Sequence, residues 1–251
     1  MVLLFKAIFA KKITMHILLV SATKKEIAPL IQQMRLEQQL INSRLYRYSY
    51  LNHSVDLLIT GVGMMATSFW LGKIVSNGNY DFAINCGVAG SFSHELMLGE
   101  VVNVTEDYLL ECGAESSSGF ITLPALNLLD ESDFPHTALG IKSTYSFENP
   151  VLTSLKKVNG ITVNTVHGTE SSIEKDKLHY RSVHGKEVIT ESMEGAAFLY
   201  ACIHEKIPCV QLRGISNYVE ERNTDKWELT KAIDSVTAKV AELMNSYADE
   251  N

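Results

Sequence analysis

PCVQLRGISNYVEERN, residues 208–223, carries the decision about the fold. Proline precedes a largely apolar run, and glycine and small polar residues follow it. The run reads as a buried strand that opens into a loop at its carboxyl end.

Working outward from this strand, short apolar runs alternate with amphipathic segments from Met15 onward, the pattern of strands and crossover helices. HILLVSA (16–22), SRLYRYSY (43–50), VDLLIT (55–60), DFAINCG (81–87), EVVNVTEDYLL (100–110), GITVNTVHG (160–168) and KEVITESME (186–194) read as strands, with LNHS (51–54) as a hairpin turn. KKEIAPLIQQMRLEQQ (24–39) reads as a helix, Pro29 being tolerable only in its first turns. GVGMMATSFWLGKIVS (61–76) is a glycine turn entering a helix, a helix follows Glu194 through Tyr200, and residues 227–248 close the chain as an amphipathic helix. Residues 111–150 read as a long loop over one sheet edge. These elements predict a three-layer α/β/α sandwich around a mixed, largely parallel central sheet, with residues 15–251 as one domain.

The chain has 251 residues, 46% hydrophobic and 20% charged, with a formal net charge of −7 and no basic run, which argues against nucleic-acid binding. Cys86, Cys112, Cys202 and Cys209 form no CxxC pair and no Cys/His cluster of the kind zinc needs. Three of them lie in runs that read as buried, which points to small apolar side chains in a reducing compartment, the cytoplasm. The start, MVLLFKAIFAKKIT (1–14), falls short of the ~20 apolar residues of a membrane span. It also lacks an early basic region and a small-residue cleavage site, and reads as an extension outside the fold.

Four segments stand at predicted strand ends, where ligands of such sheets gather: SATKKE (21–26), NCGVAGS (85–91), ESMEGAA (191–197) and RGISN (213–217). Singly each has an ordinary explanation. Gly87 and Gly90 suit a tight turn, and Glu26 and Glu194 suit carboxylates at helix starts. Together, in this order, they resemble the purine nucleosidase and phosphorylase superfamily across residues 15–247. Within it the chain is most similar to the nucleosidase branch that holds 5′-methylthioadenosine/S-adenosylhomocysteine nucleosidase and futalosine hydrolase.

The resemblance implies an N-ribosyl hydrolase that needs no cofactor and no metal. Glu26 would orient and deprotonate water, where phosphorylases hold phosphate with glycine and arginine. Val88, Ala89 and Gly90 would face ribose and base, Val88 replacing a frequent serine or threonine. Ser192 and Met193 would lie under the sugar and Glu194 would bind its hydroxyls, a carboxylate accepting two side-by-side hydrogen bonds from a cis-diol. Arg213 fits either an electrostatic support or a structural ion pair. His167 falls where relatives place an aromatic residue against the base, and fits a hydrogen-bonded structural histidine equally. Asn217 stands where relatives often carry a proton-donating aspartic acid. Its amide can donate to O6 of a 6-oxopurine and accept from N7–H, but delivers no proton, which favours an inosine-like substrate. Within the branch, that implies futalosine, with release of hypoxanthine in a menaquinone pathway. Methylthioadenosine/S-adenosylhomocysteine cleavage, phosphorolysis and a non-catalytic nucleoside-binding role are the alternatives. The partners implied are a nucleoside and water, with neither nucleic acid nor membrane, in a homodimer or larger homo-oligomer whose neighbouring subunit completes the 5′ pocket.

Overall fold

The computed structural model describes residues 14–248 except 42–43, 77, 118, 131–133 and 138–139. Of the expected extension, residues 1–13 lie outside the described residues. The chain runs through β1 (His16–Ser21), α1 (Lys24–Ile31), β2 (Arg35–Ile41), β3 (Leu45–Tyr50), β4 (His53–Ile59), α2 (Met64–Val75), β5 (Phe82–Ser91) and β6 (Val101–Leu109). It continues through β7 (Gly113–Ser116), β8 (Gly119–Thr122), β9 (His136–Thr137), β10 (Gly140–Lys142), α3 (Pro150–Thr153), β11 (Lys156–Thr162) and α4 (Glu170–His184). The last elements are β12 (Thr190–Ser192), α5 (Gly195–His204), β13 (Cys209–Tyr218) and α6 (Leu229–Asn245).

The strand read first, β13, is central: it runs parallel to β5 on one side and antiparallel to β6 on the other. Five strands close on themselves, because β6 also pairs with β11, β11 with β12, and β12 with β5. From this ring β1, β4, β3 and β2 extend one way and β10 and β9 the other. The sheet is mixed, as expected, and helices cover both faces.

Alternation along β1 shows why its apolar run is unbroken. Ile17 and Leu19 pack with Ile27 and Leu30 of α1 and with Val236, Val240 and Leu243 of α6. Leu18 and Val20 join Leu71 and Ile74 of α2 and Phe198, Leu199 and Cys202 of α5 on the opposite face. Each such side chain, fully buried, contributes ~1.5–3 kcal/mol by leaving water.

Several expectations need correction. The strand read over 160–168 ends at Thr162 as part of β11, and the one read over 186–194 shrinks to the three residues of β12. The helix expected over 24–39 stops at Ile31, and Arg35–Ile41 form a strand antiparallel to β3. Past Ile31 the largely exposed residues of β2 offer no continuous apolar stripe for a helix to bury, and they pair with β3 instead. Segment 111–150 is not structureless: β7 and β8 form a hairpin, and β10 pairs with β6. Helix α4 was not anticipated. It has a Thr169 N-cap and a left-handed Gly185 C-cap but a mostly polar composition, so tertiary contacts rather than an apolar stripe hold it. Cys86, Cys202 and Cys209 are buried and Cys112 is exposed. Burial pushes the Cys86 thiol up to about 12, so it stays protonated and apolar in character. Among the described residues no helix is long and apolar enough to cross a membrane.

Gly214 sets the closeness of α6 to β13. A Cβ there would lie 2.3 Å from the Ala232 backbone oxygen, so the helix would have to move. Gly214→Ala is expected to lower stability by ~1–3 kcal/mol, measured by urea unfolding; an unchanged midpoint would contradict this packing.

Candidate active site

The carboxyl ends of β1, β5 and β13, the β12–α5 junction and the start of α6 surround one cavity of about 280 Å³. Local sequence explains how each element presents its side chain. At the exit of β1, Thr23 caps α1: its hydroxyl accepts from the Glu26 amide (3.3 Å), while Glu26 Oε2 accepts from the Thr23 amide (3.0 Å) and hydroxyl (2.8 Å). This reciprocal capping box fixes Glu26 through one carboxylate oxygen. Capping and placement at the cavity are therefore not alternatives for this residue. Lys25 also lines the cavity, whereas Lys24 turns away over the Tyr46 ring.

Within β5, Gly87 leaves room for two charged groups. Arg213 Nη1 and Glu26 Oε1 lie 2.3 Å and 3.1 Å from the point where a Cβ would stand. Val88, Ala89 and Gly90 follow along the cavity wall. Gly90 lets the Asn217 amide nitrogen and Glu191 Cγ approach to 3.2 Å and 3.4 Å of its missing Cβ. Neither glycine has a left-handed φ; close approach, rather than a special turn, calls for glycine at both.

Glu194 is the N-cap residue of α5 but makes no side-chain cap bond. Its carboxylate reaches across to α2 instead and accepts the Gly63 amide at 2.9 Å. Burial pushes its carboxyl above the usual range, against the pull of Arg213 and the Gly63 amide, and the nearby Glu26 charge raises it further. Ser192 and Met193 line the same wall. Arg213 is buried behind the wall rather than exposed in it. Its Nη2 donates to Asn85 Oδ1 (2.5 Å) and Gln211 Oε1 (3.1 Å), and its Nε has no partner among the described residues. It is thus no simple ion pair: amides hold it while its charge acts on Glu194.

Asn217 lines the cavity with its amide already oriented. Ser216 Oγ donates to Oδ1 (2.7 Å) and Nδ2 donates to the Tyr218 carbonyl (3.0 Å). One N–H and one lone pair remain for a ligand. His167 also lines the cavity, but its ring is clamped by two carboxylates, Glu191 Oε2 at 2.5 Å from Nδ1 and Asp176 Oδ2 at 2.8 Å from Nε2. Burial opposes the imidazolium, but the hydrogen bonds to Asp176 and Glu191 outweigh it and push the histidine up to about 9. Sequence reading missed Glu191 and Lys25 as cavity residues. Glu191 was visible as an acidic residue in a strand, but its partner His167 is 24 positions away. A second cavity, also about 280 Å³, shares His167, Asn217 and Trp227 and continues to Tyr218, Glu221 and Arg222. There the Arg222 guanidinium lies over the Trp227 ring, and Tyr218 donates to the Leu96 carbonyl.

A mixed sheet flanked by helices, with an acidic cleft at its strand ends, defines a nucleoside phosphorylase-like protein. The chain belongs to the phosphorylase superfamily, whose sequence model matches residues 16–249. It is similar to a futalosine hydrolase of Streptomyces coelicolor, 24% identical over 75% of this chain and 77% of the relative. It is equally similar to an aminodeoxyfutalosine nucleosidase of Campylobacter jejuni, 24% identical over 83% and 88% of the two chains. The solved 5′-methylthioadenosine/S-adenosylhomocysteine nucleosidase of Neisseria meningitidis, in complex with methylthio-immucillin-A, superposes with a TM-score of 0.74 at 18% identity, covering 94% of this chain and 100% of that one.

A histidine raised from 6.5 to about 9 by folding stabilises the protein fully below pH 6.5 and loses that contribution as pH climbs through 9. Between pH 6.5 and 9.5 the native protein should therefore lose stability that a His167→Gln variant does not. Parallel pH profiles of the two in urea unfolding would refute the clamp.

Proposed function

We propose that this chain hydrolyses the N-glycosidic bond of futalosine, an inosine-like 6-oxopurine nucleoside, releasing hypoxanthine in a menaquinone pathway. It is a hydrolase acting on N-glycosyl bonds, the activity named for its curated relatives. The observation that carries the reading is the cavity wall itself. Glu26, Glu191 and Glu194 line it together with the neutral amide of Asn217. Three carboxylates against Lys25 and the clamped His167 disfavour a phosphate anion and suit water and a cationic sugar.

Glu26 acts as the base that orients and deprotonates water, its Oε2 held by Thr23 so that Oε1 faces the Gly87 side of the site. Glu194 accepts the sugar hydroxyls, and the polarizable thioether of Met193 packs under the flattened ring. Asn217 uses its remaining N–H and lone pair on O6 and N7–H. Because an amide supplies no proton at neutral pH, the base departs as an anion whose charge is carried through O6, which the Asn217 N–H faces. N7 takes its proton from solvent water afterwards, and the Asn217 lone pair then accepts that N7–H. Exposed Val62 on the cavity wall and Met65 and Phe69 on the adjoining helix support association with a second copy beside the site.

An asparagine also pairs with adenine through N7 and the exocyclic amine, so cleavage of adenine nucleosides is the second reading. Incubation with futalosine, inosine and 5′-methylthioadenosine should yield hypoxanthine from futalosine without phosphate consumption. Release of adenine alone would establish the second reading in its place. Glu26→Gln is expected to lower kcat by ~10²–10⁴ with the fold intact; unaltered turnover would remove Glu26 from its role. Asn217→Asp, which restores an acid, should raise adenine release relative to hypoxanthine release.

A further inference from the structure

A continuous row of buried polar groups runs beneath the cavity across five strands, and none of its members except Arg213 figures in the chemistry above. Asn85 of β5 donates from Nδ2 to the Val20 carbonyl of β1 (3.2 Å) and accepts from Arg213 of β13 (2.5 Å). Arg213 also donates to Gln211 Oε1 (3.1 Å), and Gln211 Nε2 donates to Asp107 Oδ2 of β6 (2.9 Å). Asp107 Oδ1 accepts the Thr162 hydroxyl of β11 (2.7 Å), whose oxygen accepts the Ala196 amide of α5 (2.8 Å). All five side chains are at most 2% exposed.

We infer that Asp107 is a positioning residue for the reaction: it fixes Arg213 through Gln211, and the start of α5 with Glu194 through Thr162. This rests on the reading of Glu194 as the group that binds the sugar.

The directions of the hydrogen bonds require a carboxylate at this position. The Thr162 oxygen accepts from the Ala196 amide, so its proton goes to Asp107. Gln211 presents its carbonyl to Arg213, so its NH₂ also goes to Asp107. Only a group that accepts on both sides satisfies both donors. An asparagine would turn an NH₂ toward one of them and reverse or break that arm. The row also presses against the backbone that carries Glu194. A Cβ on Gly195 would stand 2.0 Å from Gln211 Oε1 and 2.1 Å from Asp107 Oδ2, so only glycine fits next to Glu194. Arg213 is left with Nη1 directed to the gap at Gly87 beside Glu26 and with Nε unpaired among the described residues. The row aims the guanidinium without saturating it. Burial alone pushes the Asp107 carboxyl up to about 6, against the hydrogen bonds of Gln211 and Thr162 and the Arg213 charge.

The test is a double-mutant cycle read as base release from futalosine and 5′-methylthioadenosine, at temperatures below the lowest Tm of the set. Asp107→Asn is expected to lower kcat on the order of 10²-fold, with a smaller change in KM. In a Glu194→Gln background the same substitution should cost at least tenfold less, because a group that Asp107 positions is already gone. Thr162→Val should reproduce the loss while Thr162→Ser, which keeps the hydroxyl, retains near-native kcat. That pair decides the matter if Asp107→Asn does not fold. Native kcat in both Asp107→Asn and Thr162→Val, or losses that simply multiply in the cycle, would overturn the inference. Native turnover in Glu194→Gln would instead overturn the reading of the site, and this inference with it.

Discussion

Desolvation of charge is the constraint on which this structure turns. A guanidinium on a central strand, 2% exposed, costs several kcal/mol unless its surroundings answer it. The protein answers with amides first and a carboxylate one step removed: Asn85 and Gln211 hold Arg213, and Asp107 holds Gln211. Carboxylates at the cavity then share the same positive charge. The wall of the cleft and the interior of the sheet are one electrostatic system, and Glu194 joins them, since its ionisation responds to both Arg213 and Glu26.

The topology makes this arrangement possible. Because β5, β13, β6, β11 and β12 close on themselves, residues distant in sequence stand side by side in the ring. Asp107 and Gln211 are 104 positions apart, yet they meet at hydrogen-bond distance. An open sheet would bring fewer strands to one point. The alternating side chains of β1 and the two helical layers supply the hydrophobic free energy against which the polar row is held.

Much of the fold was legible in sequence. Buried strands such as β1, β5 and β13 carry strong apolar runs, and α6 carries a clear amphipathic stripe. The failures have physical causes. β2 is an exposed edge strand whose Arg35, Glu37, Gln38 and Gln39 give no hydrophobic period, so the pattern of the preceding helix ran on into it. α4 is mostly polar, and only its Thr169 and Gly185 caps marked it. At the site, the segments that meet around the cavity were all visible as glycine- and carboxylate-bearing strand ends. The clamp of His167 between Glu191 and Asp176 was not, because it depends on how a loop, a strand and a helix converge. Nor was the partner set of Arg213, since Asn85, Gln211 and Asp107 read singly as unremarkable polar residues in strands.

The space denied to a side chain at Gly195 has an evolutionary consequence. Gln211 and Asp107 are both tied down at the atoms that would collide with a methyl group there. Alanine at 195 therefore becomes tolerable only after both of those side chains have shortened or moved, while a change at 211 or 107 needs no prior event at 195. The order in which a lineage can accept these replacements is thus built into the geometry, and descendants that drift apart at these three sites must do so as a linked set.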